Sequence, residues 1–314
     1  MRDEGQITSA SPEDAGGQDA KEASTQFSVC ISFDFDGMAN WIARSEVPNP
    51  VQLSRGEFGA VAIPRILDLL ASYEIRATFF VPGHTALAYP YLVERILDLG
   101  HEVGHHGWVH ENPSTHASSD DERRALERGL EALAIVGAPY PQGYRAPGAA
   151  FSAWTISLLR EYGFVFDSTC SASDFEPYYL REGDAWSASE PFVFGKPIEI
   201  VELPYSWSLN DFHVFEFAPP LMNQYPPSAV EETWLAEFEY AILSHPQGTF
   251  TLSLHPQTIG RGHRLVMLGR FLEHARASHA SVFRPLGEVA DAWRAEHPLE
   301  KWIRQDPIHA GRIV

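Results

Sequence analysis

The chain is short of cysteine, of basic residues and of long apolar runs, and each shortage excludes a class of protein. Its two cysteines, Cys30 and Cys170, are too far apart in sequence to resemble a disulfide framework or a paired-cysteine metal site. The 23 lysines and arginines face 42 acids, so the net charge of −19 disfavours nucleic acid and membrane surfaces as partners. No run approaches the roughly 18 apolar residues of a membrane-spanning helix. A neutral or zwitterionic substrate suits this charge better.

The first residues also lack the pattern of an export signal, which is a basic start followed by roughly 7–15 apolar residues. Residues 1–25 contain almost no large apolar side chain, so they are expected to form a disordered tail. The remainder, residues 26–314, is expected to be one catalytic domain, because a single α/β barrel can reach this length. With its free thiols, the protein is expected to be cytoplasmic.

From Phe27 onward, short apolar runs alternate with longer amphipathic ones, a pattern that favours repeated βα units and an α/β fold. Strands are predicted for residues 27–35, 76–82, 101–106, 143–147, 164–168, 198–205, 248–255 and 280–285. Helices are predicted for residues 63–72, 91–99, 120–136, 154–162, 229–244 and 264–278. Residues 171–227 are rich in aromatic residues and poor in helical pattern, so they are expected to hold long loops over one end of a barrel.

Two aspartates end the first apolar run, in the segment FDFDG. Because side chains alternate along a strand, Asp34 and Asp36 should lie on one face. Two carboxylates so close repel each other unless a cation lies between them or one of them is protonated. A solvated strand end is the other interpretation, since Asp and Gly are common there.

A histidine-rich segment, HEVGHHGWVH, comes later in the chain. His106 and His110 are four residues apart, so one helical turn would bring together their imidazoles, which are favoured zinc ligands. His105 cannot share that face and is expected to pack or to support. The spacing alone is also compatible with an ordinary surface helix. With an acidic strand end nearby, it predicts an Asp, His, His metal site with open positions for water.

Two further segments offer candidates for the rest of an active site. In YRAPG, Arg145 could hold Asp34 ionised and the N–H of Gly148 could face a developing oxyanion, although Arg-x-Pro-Gly is also ordinary turn chemistry. Asp167 and His255 both end apolar runs. A histidine in that position is either structural or a general acid whose pKa is tuned by a carboxylate.

Taken in order, FDFDG, HHGWVH, YRAPG, FDS and LHP resemble the five motifs of the polysaccharide deacetylase superfamily, the NodB-homology or carbohydrate esterase family four group, over roughly residues 27–290. The spaced aspartates, the HHGxxHE form and the stretch LHPQTIGRGHR resemble one branch of it. That branch contains cyclic imide hydrolases, metal-independent allantoinases and an intracellular-type peptidoglycan deacetylase. The resemblance implies a single distorted (β/α)7 barrel of NodB-homology type, and it allows a homo-oligomer.

The resemblance also implies a role for each motif residue. The ligands of one divalent metal, usually zinc, would be Asp36, His106 and His110. Asp34 would be the base, Arg145 would orient this base, and His255 would be the acid. Gly148, Asp167 and Trp108 would lie on the side of the active site that binds the oxyanion and the substrate. The chain departs from the family pattern in two places, because the third motif ends Pro147-Gly148 instead of Pro-Tyr and Leu254 directly precedes His255.

These parts suit hydrolysis of a non-peptide amide bond. Because N-acetylated polymers lie outside the membrane, a small cyclic imide or ureide is the first choice of substrate. An N-acetyl amino sugar, as in peptidoglycan or chitin fragments, is the alternative. An Fe(II) oxygenase, which also uses two histidines and a carboxylate, is disfavoured because those sites ordinarily lie on all-β scaffolds. A catalytically dead sugar-binding relative would lack a ligand or the base, and neither is missing.

Seven aromatic residues in the loop-rich segment bear on the choice of substrate: Trp186, Phe192, Phe194, Tyr205, Trp207, Phe212 and Phe215. A pocket of roughly 300–1,000 Å³ over the metal, lined by two or more of them, would favour a small planar ring. An open groove would favour a polymeric sugar. Burial of these side chains in the core is the alternative.

Overall fold

The computed structural model describes residues 26–45, 47, 49–216 and 224–309, and a curled sheet lies at its centre. The strands are β1 (Phe27–Asp34), β2 (Thr78–Val81), β3 (Glu102–His105), β4 (Gly143–Tyr144), β5 (Phe166–Asp167), β6 (Tyr178–Glu182), β7 (Lys196–Glu202), β8 (Thr249–Leu254) and β9 (Ser281–Phe283). Each strand that was predicted from an apolar run is present.

Strand β1 is buried along its whole length, as expected of a strand that is covered on both faces. It pairs in parallel with β2 and β8, and its first residues pair with β9. The order of the sheet is β6-β7-β5-β4-β3-β2-β1-β8. Among the described pairs, β6 with β7 is the antiparallel one. This arrangement confirms the predicted α/β fold of distorted barrel type.

The helices of the described residues are α1 (Ala39–Ala43), α2 (Pro50–Ser72), α3 (Gly83–Ala88), α4 (Pro90–Asp98), α5 (Ser119–Ile135), α6 (Thr155–Glu161), α7 (Asp211–Phe215), α8 (Pro227–Ser244), α9 (Pro256–Ile259), α10 (Gly262–Ala277), α11 (Leu286–Glu296) and α12 (Leu299–Gln305). Buried apolar residues of α2, α8 and α10 join those of β1 and β8 in the largest core cluster. None of these helices combines the length and the apolar character that a membrane crossing requires.

Helix α2 differs most from its prediction, because it begins at Pro50 and not at residue 63. The side chain of Asn49 caps it by accepting from the Val51 N–H at 3.1 Å. Gly56 lies against the backbone of Gly37, where an added Cβ would come within 2.2 Å of the Gly37 carbonyl oxygen. A glycine that weakens the helical pattern in the sequence therefore permits a close contact in the fold.

The loop-rich segment 171–227 contains more regular structure than expected, since β6 and α7 lie within it beside the predicted β7. Strand β6 was missed because its sequence, YYLRE, carries little alternation. The predicted disordered tail, residues 1–25, lies outside the described residues. The single catalytic domain over residues 26–314 stays a prediction.

Candidate metal centre and active site

The two aspartates lie at the carboxyl end of β1, and both are buried. The N–H of Phe35 donates to the Phe80 carbonyl at 2.8 Å, so pairing with β2 continues past the last residue of the strand. Both carboxylates come within 4.0 Å of His255 Nε2, since Asp34 Oδ2 is 3.7 Å from it and Asp36 Oδ2 is 4.0 Å from it. The two side chains therefore lie on one side of the strand, as their spacing predicted.

His106 and His110 lie on an irregular loop after β3, and the prediction of a helical turn was wrong. His110 has a φ of +61°, a left-handed conformation that an α-helix excludes. The carboxylate of Glu111 accepts from the N–H groups of Trp108 at 3.0 Å and Val109 at 2.6 Å, which holds the loop in this shape. The loop still brings the two imidazole rings together, with 5.0 Å between their centroids.

Asp36, His106 and His110 converge with their potential ligand atoms within 4.8 Å of one another. Asp36 Oδ1 is 3.5 Å from His106 Nε2 and 3.7 Å from His110 Nε2. Ligand atoms around one tetrahedral ion, with bonds of 2.0–2.1 Å, would be about 3.3 Å apart. Asp36 Oδ1 and His106 Nε2 are buried and have no hydrogen-bond partner within the described part of the chain. The residues present therefore fit a divalent metal.

The hydrogen bonding of His106 and the protonation of His110 and Asp36 also suit metal ligands. His106 Nδ1 donates to the Arg145 carbonyl at 2.7 Å, which leaves the lone pair of Nε2 free to bind. Burial lowers the pKa of His110 to about 4, so its imidazole is neutral at neutral pH, as a ligand must be. Burial opposes ionisation of Asp36, but the neighbouring histidines outweigh it and hold the pKa of this carboxyl well below its usual range.

Arg145 lies beneath Asp34 and is 1% exposed. Its Nη1 donates to Asp34 Oδ1 at 2.8 Å and also to the hydroxyls of Ser32 and Ser253. Its Nη2 and Nε donate to the hydroxyl and carbonyl of Ser168, each at 2.8 Å. The pair with Asp34 thus uses one guanidinium nitrogen and is not bidentate. Burial raises the pKa of Asp34, but the charge of Arg145, with those of the neighbouring histidines, outweighs it and lowers the pKa.

The Nε2 atom of His255 faces the two aspartates, and its Nδ1 atom contacts Asp211. The sequence alone did not identify Asp211. His255 Nδ1 lies 2.8 Å from Asp211 Oδ1. Burial lowers the pKa of His255, but the hydrogen bond and charge of Asp211, joined by Asp36 and Asp34, outweigh it and raise the pKa to about 9. Asp211 begins α7 directly after Asn210, and an Asn-Asp pair before a short helix is common capping chemistry, so no sequence signal distinguished it.

An open cavity lies over this site, and its empty space, which includes solvent at the mouth, is about 640 Å³. Asp34, His106, His110, Arg145 and His255 line its floor. Its walls include three of the seven aromatic residues that were expected there: Tyr205, Trp207 and Phe212. Its lining also includes three polar residues that were not expected: Asn40, Arg44 and His213. The cavity is therefore partly apolar, with polar groups concentrated around the metal ligands.

Of the three residues expected on the oxyanion and substrate side, one lies on the cavity. Gly148 lines it and has a φ of +67°, which favours glycine. Asp167 is fully buried and does not line it; its carboxylate accepts from the Thr169 hydroxyl at 2.9 Å. Trp108 packs under the Arg128 guanidinium, which is 4.0 Å from its ring centroid. Neither Asp167 nor Trp108 lines this cavity, so substrate contact by these two residues stays a prediction.

The remaining expected aromatic residues lie away from the cavity. Trp186 is 75% exposed and stacks on Phe192, with 6.3 Å between ring centroids, and Phe192 contacts Phe194. Phe215 is 1% exposed and belongs to the main core. His105 also supports the core, as expected, with its Nε2 donating to the Leu126 carbonyl at 3.1 Å.

A family model described as polysaccharide deacetylase matches residues 55–166. This range contains the histidine loop and Arg145, whereas the aspartates precede it and His255 follows it. A peptidoglycan deacetylase of Helicobacter pylori is 31% identical over 288 residues, which are 87% of this chain and 98% of the relative. A peptidoglycan deacetylase-like protein, FGM2, of Gibberella zeae is 28% identical over 77% of this chain and 78% of the relative.

Two solved structures share the fold. The crystal structure of an assigned polysaccharide deacetylase from Mycobacterium smegmatis is 32% identical, with a TM-score of 0.75 over 87% of this chain and 92% of the other. An allantoinase structure superposes with a TM-score of 0.70 over 88% of this chain and 92% of the other. At 20% identity, the allantoinase supports the fold alone.

Proposed function

Because the chain belongs to the polysaccharide deacetylase family, whose members hydrolyse amide bonds, we propose that it is a metal-dependent hydrolase of a small cyclic imide or ureide. One observation carries this proposal. The Asp36, His106 and His110 ligand atoms converge under a cavity that also holds Asp34 and an opposing acid, His255.

The metal, which we propose is zinc, would be held by Asp36, His106 and His110. When bound, it would supply a hydroxide from water near neutral pH and polarise the carbonyl of the substrate. Asp34 is ionised by its contact with Arg145 and accepts the proton of the attacking water. His255, protonated through Asp211, donates a proton from Nε2 to the departing nitrogen. The N–H of Gly148, on the cavity wall, would donate to the oxyanion.

The lining of the cavity supports the choice of a small ring. Tyr205, Trp207 and Phe212 present aromatic surface over the metal ligands, and flat apolar side chains suit a planar ring better than a hydrated polymer. Gly148, where the family pattern has tyrosine, lines the same cavity without a side chain that would fill it.

The second candidate is removal of the acetyl group from an N-acetyl amino sugar. It is favoured by the peptidoglycan deacetylase of Helicobacter pylori, which matches this chain over nearly its whole length. The same catalytic groups would serve this reaction, and the leaving nitrogen would be the amine of the sugar. A cytoplasmic location and a homo-oligomeric state stay predictions.

The two candidates differ in the product that is released. The zinc-loaded enzyme should be assayed in parallel on a succinimide-like imide, a hydantoin-like ureide and N-acetylglucosamine oligomers. Ring opening of the first two, measured by loss of ring absorbance, supports the proposal, and Asp36→Ala should abolish it. Acetate release from the oligomers without ring opening would replace it with the second candidate. Full activity after removal of the metal by a chelator would contradict metal dependence for either one.

A further inference from the structure

Three arginine side chains gather around a second cavity, which the proposed reaction does not use. Arg55, Arg261 and Arg264 line it together with Glu216 and Gln257, and its empty space, which includes open solvent, is about 780 Å³. Gln257 separates it from the metal site, because its Nε2 donates to Asp36 Oδ2 at 3.3 Å. The two cavities share no lining residue. A ligand of the second cavity would therefore be distinct from the reacting amide.

Two of these arginines have no acidic partner in the described part of the chain. Arg261 lies over the ring of Phe58, 3.5 Å from its centroid, and forms no ion pair there. Arg264 donates to the carbonyls of Thr258 at 2.8 Å and Phe215 at 3.1 Å, while its Nε is buried without a partner.

Arg55 adds a third positive charge and is paired with Glu216. One lining carboxylate therefore faces three guanidinium groups, in a protein whose net charge is −19. The pKa of Arg55 is lowered, mainly by burial and to a smaller extent by the charge of Arg261. Like charges gathered in this way repel each other, and a bound anion would relieve that repulsion.

The backbone adds to the same preference. Arg261 is the N-cap of α10, and Arg264 lies in the first turn of this sixteen-residue helix. The N-cap has no side-chain hydrogen bond, and no acid lies in the first turn. The free N–H groups and the dipole of a helix N-terminus favour a negative charge.

We propose that this cavity is a binding site for a small oxyanion, a phosphate or a carboxylate, held by the guanidinium groups of Arg261 and Arg264 at the start of α10. Arginine suits both anions, because its planar fork donates two parallel hydrogen bonds to a pair of oxygens. Arg55 contributes charge from the opposite wall while it stays paired with Glu216. The site accounts for the GRGHR stretch, whose two arginines have no role in the proposed reaction.

The test is titration calorimetry of the full-length, metal-loaded protein with inorganic phosphate and, separately, with succinate, at an ionic strength held constant with sodium chloride. Saturable binding is expected for at least one anion, with a Kd of about 1 mM or tighter. The anion that binds identifies the source of the oxyanion. Arg261→Gln and Arg264→Gln should each weaken binding at least tenfold.

The matched control is Arg270→Gln on the same helix, since Arg270 is exposed and already paired with Glu231 at 2.7 Å. It should keep the affinity of the parent protein. Arg261→Gln decides the result if Arg264→Gln fails to fold, because the exposed Arg261 side chain packs on the Phe58 ring and forms no ion pair within the described residues. Saturable binding of neither anion would overturn the proposal. So would binding that Arg261→Gln leaves unchanged, since the anion would then lie elsewhere, for example on the active-site metal.

Discussion

Replacement of Asp211 by asparagine should move the alkaline limit of activity to lower pH. His255 must be protonated to act as an acid, so activity should fall as the pH rises through its pKa. The surroundings raise that pKa from the ordinary 6.5 to about 9, although burial alone would lower it. This shift corresponds to about 3 kcal/mol in favour of the imidazolium.

Asp211 is the largest of the influences that raise this pKa, and its Oδ1 is 2.8 Å from His255 Nδ1. Removing one opposite charge at such a distance should lower the pKa by about 1–3 units. A bound divalent ion would oppose the contributions of Asp36 and Asp34 but would leave that of Asp211. The shift should therefore persist in the metal-loaded enzyme. The assay is the pH profile of kcat/KM across both pKa values, at equal metal content.

Asp167→Asn is the control, because Asp167 is equally buried but contacts Thr169 and not His255. It should leave the alkaline limit where it is. An Asp211→Asn enzyme that keeps the parent activity at every pH, with the alkaline limit unmoved, would refute His255 as the acid. Uniformly lower activity at every pH, with the limit unmoved, would show that Asp211 only orients the imidazole.

Other substitutions test the remaining roles. Asp36→Ala, His106→Ala or His110→Ala should each remove most of the metal and the activity together, as measured by elemental analysis, since three protein ligands leave no spare; stoichiometric metal in any of them would contradict the ligand set. Asp34→Asn should keep the metal and lose about 10²–10⁴-fold in kcat, because an amide cannot accept the proton; if it retains full turnover, Asp34 is not the base. Arg145→Lys should lower kcat and destabilise the fold by about 2–3 kcal/mol in urea melts, because one ammonium cannot reach all the acceptors that the guanidinium spans; near-normal values for both would leave Arg145 with a role in the turn alone.

The convergence of the site was predictable because parallel strands end at the same edge of a sheet. Asp34 ends β1, Arg145 follows β4 and His255 follows β8, so three distant segments meet there once each is placed at a strand end. Hydrophobic runs mark buried strands well, and the chemistry-bearing residues stand just after those runs. The fold class and the main charged contacts followed from this pattern.

The shape of the histidine loop was not predictable from spacing. A separation of four residues matches a helical turn, but His110 adopts a left-handed conformation that Glu111 stabilises from the next position. Such a conformation is uncommon for residues other than glycine, so a helix is the natural expectation. Asp211 escaped detection for a different reason, because its partner is 44 residues away in sequence and only the packing of α7 joins them.

Two histidines of the site show how the fold separates their roles. His110 and His255 are both buried and both near Asp36, yet burial lowers the pKa of His110 to about 4 while Asp211 helps to raise that of His255 to about 9. A metal ligand must offer a lone pair, whereas a general acid must hold a proton. At neutral pH each residue is in the form that its proposed role requires. The difference is the carboxylate of Asp211, which contacts Nδ1 of His255. Asp211 therefore determines that His255, and not His110, can act as an acid.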